Sequence, residues 1–263
     1  NYAIDRPPSA EPVSAQNLPP PPRLRLNPPP SDGRIIVGLI DTAVQPLGGN
    51  LDQFLLEAIS VAGPASTDPN SPTHGTSMAG TVLRSLEEIT KGSTAVQILP
   101  VDVYGANPST STFDVAKGVV LAVNNGARII NLSLGSPGDD SLLRSVLQDV
   151  SKQNIPVFAA AGNEPVTTPV YPAAYPGVTA VTAVDHGQIA PYANRGSFVS
   201  LGVPGMSVVY YQNQPYQVVG TSAASAAAAG LAAGYMDATR STAAQMKSFM
   251  NKNFGVTITP AAR

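Results

Sequence analysis

Unbroken apolar runs recur along the chain. Arg34-Ile-Ile-Val-Gly-Leu-Ile40 is the first, and it ends at Asp41. Others are Val96–Val103, Arg128–Ser133, Pro156–Ala161 and Val178–Val184. Runs of this kind suit strands buried on both faces. Helical patterns alternate with them. A helix is predicted over Ser77–Ile89. Ser111-Thr-Phe-Asp114 resembles a capping box, Val115–Val123 continues it, and Asn125-Gly126 stops it. Asp139 and Asp140 put negative charge at the start of Leu142–Val150, which favours a helix dipole there. Strands alternating with helices predict an α/β fold, a doubly wound, mainly parallel sheet flanked by helices on both faces. Val208–Val219 reads as a hairpin with Gln212-Asn-Gln-Pro215 at its turn. A small-residue helix over Gly220–Asp237 follows, then a last helix over Ser241–Asn253 that ends in Gly255.

The start of the chain breaks this pattern. Ten of the first 30 residues are proline, which cannot donate to a ladder and resists helix. Residues 1–33 therefore read as an extended, polyproline-like arm or linker with few core contacts. Residues 34–263 read as one domain.

Composition narrows the chemistry. The chain has 263 residues, of which 43% are hydrophobic and 12% charged, so a sizeable core fits and general disorder does not. Fifteen Lys and Arg face 17 Asp and Glu, a net charge of -2 that gives nucleic acid no basic surface. The absence of cysteine excludes disulfides, thiolate metal sites and a thiol nucleophile. Only His74 and His186 can supply an imidazole, so a His-rich metal site is excluded too. No cofactor or metal is expected. No stretch is long and apolar enough to read as a membrane span, so no membrane partner is expected. The chain opens with Asn1 and shows no basic, then apolar, leader, which reads as a mature or trimmed form of something longer.

Several polar residues sit where elements end. Asp41 closes a buried strand at its carboxyl end, the edge where α/β sheets bind ligands, and a helix cap is the alternative role. His74 precedes a helix, with Gly75 allowing that helix to start close to other backbone and leaving the imidazole exposed at an element tip rather than buried; a structural histidine is the alternative role. Ser222 opens a helix whose free N–H groups favour an oxyanion beside it, and a plain N-cap is the alternative. Asn163 follows the strand at Pro156–Phe158, where its amide can donate to an oxyanion or simply form a turn.

Taken together, Asp41-Thr42, His74-Gly75-Thr76, Ala161-Gly162-Asn163 and Gly220-Thr221-Ser222 resemble, in order and spacing, the subtilisin-like serine proteases. The resemblance spans about Arg34 to Met250. It implies a serine endopeptidase with Asp41, His74 and Ser222 as catalytic triad and Asn163 at the oxyanion hole. It implies substrate binding along Leu132–Gly135, with a primary pocket walled by Ser133, Leu134, Gly135, Ala160, Ala161 and Gly162. The Tyr171-Pro172 loop, with an implied cis proline, lies near its floor, and Val170 fills that floor. Small to medium apolar residues are therefore expected before the cut, with Glu164 at the rim. The partner is a polypeptide substrate, together with a propeptide or protein inhibitor, and the setting is a secreted or extracytoplasmic zymogen. Alternatives are a processing or maturation protease acting on one partner or its own precursor, and a non-cleaving strand-binding module. An esterase of the α/β-hydrolase kind would need Gly-x-Ser-x-Gly, which Ser222 lacks. Ala43 stands where the family has glycine, and Ala226 where it has proline. Thr76–Thr90 carries no Asn-rich insertion, so no calcium site is expected.

Overall fold

A computed structural model describes residues 1–256; residues 257–263 of the expected domain lie outside them. The apolar runs form β1 (Ile36–Asp41), β2 (Gln97–Asp102), β3 (Ile129–Leu132), β4 (Val157–Ala160) and β5 (Val178–Asp185). To these the fold adds β6 (Leu201–Pro204) and a hairpin of β7 (Met206–Tyr211) and β8 (Gln214–Val219). The helices are α1 (His74–Thr90), α2 (Thr112–Asn124), α3 (Ser141–Lys152), α4 (Thr221–Thr239) and α5 (Ala243–Phe254). The main sheet is parallel in the order β5-β4-β3-β1-β2, with β6 beside β5 and Ile59–Ser60 beside β2. Gln188–Ile189 pairs antiparallel to β5 at the far edge.

Both faces are covered, as a parallel sheet requires. One apolar core holds buried residues of α1, α4 and α5, and a second holds those of α2 and α3. The chain winds from β1 to β2 on one side, then crosses back to β3 on the other. The order therefore reverses at β1, the kind of point beyond whose carboxyl ends α/β sheets bind ligands. Helix α4 is apolar nearly all round and buried against α1 and the sheet. A Cβ built on Gly230 would sit 2.6 Å from the Val82 carbonyl oxygen, so α4 and α1 meet almost backbone to backbone.

Helix starts follow their caps. Thr73 accepts from the Thr76 N–H through its side chain, so α1 begins at His74 rather than Ser77. Ser111 caps α2 through the Asp114 N–H, and Asp140 caps α3 through the N–H groups of Leu142 and Leu143. Thr242 and Gln245 form a capping box, which moves the start of α5 from Ser241 to Ala243.

Residues 1–33 are extended, yet the linker reading with few core contacts needs correction. Ala3–Asp5 pairs antiparallel with Ser109–Ser111, Glu11–Pro12 antiparallel with β8, and Arg25–Leu26 parallel with Ser93–Thr94. Ile4, Ala10 and Leu24 are buried. The proline clusters cannot donate to a ladder, but the short stretches between them keep their N–H groups and find sheet edges. The arm is a strap laced onto the domain.

Candidate active site

Asp41 is the last residue of β1 and only 1% exposed. Its Oδ1 accepts the Thr42 N–H at 2.7 Å. His74 Nδ1 lies 2.8 Å from Oδ1 and 3.0 Å from Oδ2. An ionised carboxylate only accepts, so Nδ1 carries the proton and Nε2 of the neutral ring is left to accept. Two contacts bring the strand end and the helix start together. Gly75 N–H donates to Thr42 Oγ1 at 2.8 Å, and a Cβ there would lie 2.1 Å from the Thr42 carbonyl oxygen. Only glycine allows that approach.

Gln45 forms a second joint that sequence reading missed. Its Oε1 accepts from the Thr73 N–H at 2.7 Å and from Thr76 Oγ1 at 3.1 Å. Its Nε2 donates to the carbonyls of Asp68 and Ser71 and to the Tyr211 hydroxyl. A lone glutamine four residues past the strand carries no pattern that would have marked it.

The expected exposed imidazole is also corrected, since His74 is 6% exposed. Arm residues Pro7 and Pro8 line a cavity of about 230 Å³ together with His74, Asn163 and Ser222.

Ser222 lies in the first turn of α4. The N-cap is Gly220, without a side-chain cap bond, so the N-cap alternative for Ser222 falls away. Ser222 Oγ donates to the Ser133 carbonyl at 3.1 Å. A buried chain of bonds holds this turn in place. Ser225 Oγ donates to Asn131 Oδ1, Asn131 Nδ2 donates to Ser133 Oγ, and Ser133 Oγ donates to the Ser222 carbonyl. Asn163 follows β4 on an exposed loop, and its Oδ1 accepts from the Thr221 N–H at 2.8 Å. That bond fixes the amide with its oxygen toward the helix start. Tyr104 lies close by, and burial, followed by the Asp41 charge, pushes its phenol well above the ordinary value.

The expected pocket residues converge on the same edge of the sheet. Leu132 pairs with Ile40 on one side and Ala159 on the other, so it has no free edge for substrate. Of the expected stretch Leu132–Gly135, Leu132 is therefore inside the sheet, and Ser133–Gly135 lie beyond those pairings. Ser133 and Leu134 are buried, as are Ala160, the last residue of β4, and Ala161 just after it. Ser136 exchanges two backbone hydrogen bonds with Tyr171, each 2.8 Å. The Tyr171-Pro172 bond is cis, as the resemblance implied. A Cβ built on Gly135 would be 3.0 Å from Val170 Cγ1, so Val170 stands against that wall. Glu164 is exposed on the loop beyond Asn163. His186 is exposed beside Asp185 in a turn and joins none of this. Sequence reading also missed a second extended edge, Ser109–Ser111, which stands free of the main sheet. Among the described residues, no group of three His, Asp or Glu side chains is placed to hold a metal ion.

A model of the subtilase family matches residues 32–258. A thermostable alkaline protease of Halalkalibacterium halodurans is 35% identical over 186 residues, 66% of this chain and 52% of that protein. The chain thus spans about half the length of this curated relative. A lanthipeptide protease crystal structure superposes with a TM-score of 0.71 at 23% identity, over 83% of this chain and 79% of that one, a likeness of fold. The prenylagaramide maturation protease PagA gives a TM-score of 0.62 at 26% identity, over 77% and 74% of the two chains.

Proposed function

The chain belongs to the subtilase family, and from that membership we propose that it is a serine endopeptidase that uses Asp41, His74 and Ser222, with Asn163 at the oxyanion site. The buried Asp41–His74 pair at 2.8 Å, whose His74 lines one cavity with Ser222, is the observation that carries this reading.

Each residue has a distinct task. Ser222 Oγ turns from the Ser133 carbonyl toward His74 Nε2, gives up its proton there and bonds to the scissile carbonyl carbon. Asp41 keeps the proton on Nδ1 and stabilises the imidazolium that forms. The carbonyl oxygen becomes an oxyanion facing Asn163 Nδ2 and the Ser222 N–H, with the positive end of α4 behind it. The peptide C–N bond then breaks, and His74 Nε2 returns the proton to the departing amine. Water, activated by the same imidazole, releases the acyl group and restores Ser222.

The substrate is an extended polypeptide, held by main-chain bonds to Ser133–Gly135. Ala160, Ala161, Gly162 and Val170 enclose the residue before the cut. A propeptide or protein inhibitor would use the same groove. No helix among the described residues is long and apolar enough to cross a membrane, and the family likeness supports a secreted or extracytoplasmic site of action. Likeness to a maturation protease favours a second reading, in which the enzyme processes one partner or its own precursor.

A fluorophosphonate probe tests the first reading. It should label Ser222, as mapped by mass spectrometry, and Ser222→Ala should lose labelling and hydrolysis while keeping its circular dichroism. Turnover by Ser222→Ala above about one thousandth of the parent rate would exclude Ser222 as nucleophile. Cleavage of unfolded casein would favour broad digestion, and cleavage of one native partner alone would favour processing.

A further inference from the structure

We propose that the chain carries a second binding site, for an acidic, extended segment of another polypeptide, in a groove lined by Arg23 and Arg25. The groove is a cavity of about 1070 Å³ enclosed by residues 21–25 of the arm, residues 46–51 after β1 and the hairpin tip at residues 210–213. It shares no lining residue with the cavity of His74 and Ser222, so the site is independent of the peptidase reading.

The sequence sets up the charged wall. Arg23-Leu-Arg-Leu26 alternates polar and apolar residues, and in an extended chain these face opposite sides. Leu24 is buried in the core, and Leu26 packs against it. Arg23 and Arg25 are exposed and line the groove. Alternate residues of a strand repeat every ~7 Å, so two cations stand in a row. Both arginines are anchored through their backbone. The Arg23 N–H donates to Glu87 Oε1 at 2.7 Å, and the Arg25 N–H donates to the Gly92 carbonyl at 3.0 Å. Among the described residues, neither guanidinium is within ion-pair distance of a carboxylate. No described residue lining the groove is acidic. On a chain of net charge -2, this is a local reversal of sign.

The surroundings fit an extended peptide better than a lone anion. Arg25–Leu26 pairs with Ser93–Thr94 on one side only, so its other edge is open to a further strand. A carboxylate on every second residue of such a guest repeats at the same ~7 Å as the two guanidinium groups. Each guanidinium can grip one carboxylate through two parallel hydrogen bonds. The other walls offer neutral contacts. Asn50 and Asn213 present side-chain amides toward a guest backbone, and Pro22, Pro46 and Tyr210 add apolar surface. Asp52, beside the groove, is already engaged, since its Oδ1 accepts from the Leu47 N–H at 2.7 Å and the Gly48 N–H at 3.2 Å. The volume lies at the top of the ~300–1,000 Å³ range of small-ligand clefts, which suits a guest of several residues.

The test uses the full chain with Ser222→Ala, which keeps the probe uncut, and a dye-labelled octapeptide of alternating glutamate and threonine. Fluorescence anisotropy should show saturable binding that weakens at least about tenfold between roughly 20 mM and 500 mM salt. A peptide with glutamine in place of glutamate should not bind. Arg23→Gln and Arg25→Gln should each weaken binding about three- to fivefold, the upper end for an exposed ion pair, and together about tenfold or more. Asn213→Asp puts a like charge on the opposite wall and should weaken binding severalfold; its φ of 62° suits aspartate as well as asparagine. Both arginines are exposed, so their variants should melt with the parent. If the double variant does not fold, the salt dependence, the glutamine peptide and Asn213→Asp decide. Equal binding of the glutamine and glutamate peptides overturns the proposal. So does parent-like affinity in the arginine variants. Inorganic phosphate that displaces the peptide at equal concentration would leave an anion site only, and overturns the peptide site as well.

Discussion

Gln45→Leu isolates the joint between β1 and α1. Leucine keeps most of the volume and the backbone N–H bond to Thr76 Oγ1 but removes every side-chain polar contact. The Thr73 N–H loses its 2.7 Å acceptor, and the Asp68 carbonyl loses its 2.8 Å donor. The Tyr211 hydroxyl loses a 3.0 Å partner as well. Each buried group left unpaired costs ~1–3 kcal/mol, and partial access to water pulls the sum to about 3 kcal/mol. Urea unfolding should show a lower midpoint with an unchanged slope. Catalysis should suffer separately. Thr73 is the N-cap of α1 and His74 its first residue, so loosening Thr73 lets the imidazole drift from Asp41. A displacement near 1 Å costs about 10²-fold in rate. Because Gln45 touches no substrate, kcat should fall while KM stays put. Gln45→Glu keeps the acceptor and the shape but turns a carboxylate oxygen toward the Asp68 and Ser71 carbonyls, so an intermediate loss is expected. Lost stability with kcat intact would mean the joint holds the fold and not the chemistry. Neither loss would refute the positioning role altogether.

Asn163→Ala should lower kcat by about 10²–10³ with little change in KM, the range known for one oxyanion donor in a subtilisin; a change mainly in KM would assign Asn163 to ground-state binding. Val170→Gly should shift a peptide-library profile from small and medium apolar residues toward Phe and Tyr before the cut, since Val170 Cγ1 stands 3.0 Å from a Cβ built on Gly135; an aromatic preference already present in the parent would reject the filled pocket. The Leu143 N–H, first among several groups, holds the Asp140 carboxyl below its ordinary range. A lowered folded pKa gives stability that is present above the unfolded value of about 3.9 and is lost as pH falls through the folded one. Asp140→Asn keeps a capping oxygen without titrating, so its melting temperature should fall less than the parent's between pH 7 and pH 3; equal falls would refute the assignment.

The sheet was legible because its strands are buried on both faces and so lack polar interruptions, as in Ile36–Asp41 and Ile129–Leu132. The residues of the candidate site could be picked out because they stand at element ends, in an order and spacing that resemble one family. Helix α1 was misjudged by a turn because its cap is Thr73 with Thr76, without the acidic residue that usually signals a start. The arm was misjudged for a different reason. Composition reports how often proline occurs, but not whether Ala3–Asp5 will meet Ser109–Ser111, more than a hundred residues along the chain. Gln45 stayed hidden because a buried polar joint has no periodicity. Its meaning comes wholly from Thr73, Thr76 and Tyr211, which the fold delivers to it.

The contact at Gly230 makes the reach between the proposed base and nucleophile a property of two rods rather than of a loop. His74 rides at the tip of α1 and Ser222 at the tip of α4, and the rods are clamped where Gly230 meets Val82. A single methyl group at that clamp, inserted well behind the tips, would wedge the rods apart and change their span without altering any side chain at the working end. Random mutagenesis should therefore recover inactive but folded proteins whose lesions cluster along this seam. Directed evolution for a changed temperature optimum should find its adjusting screw in the same place.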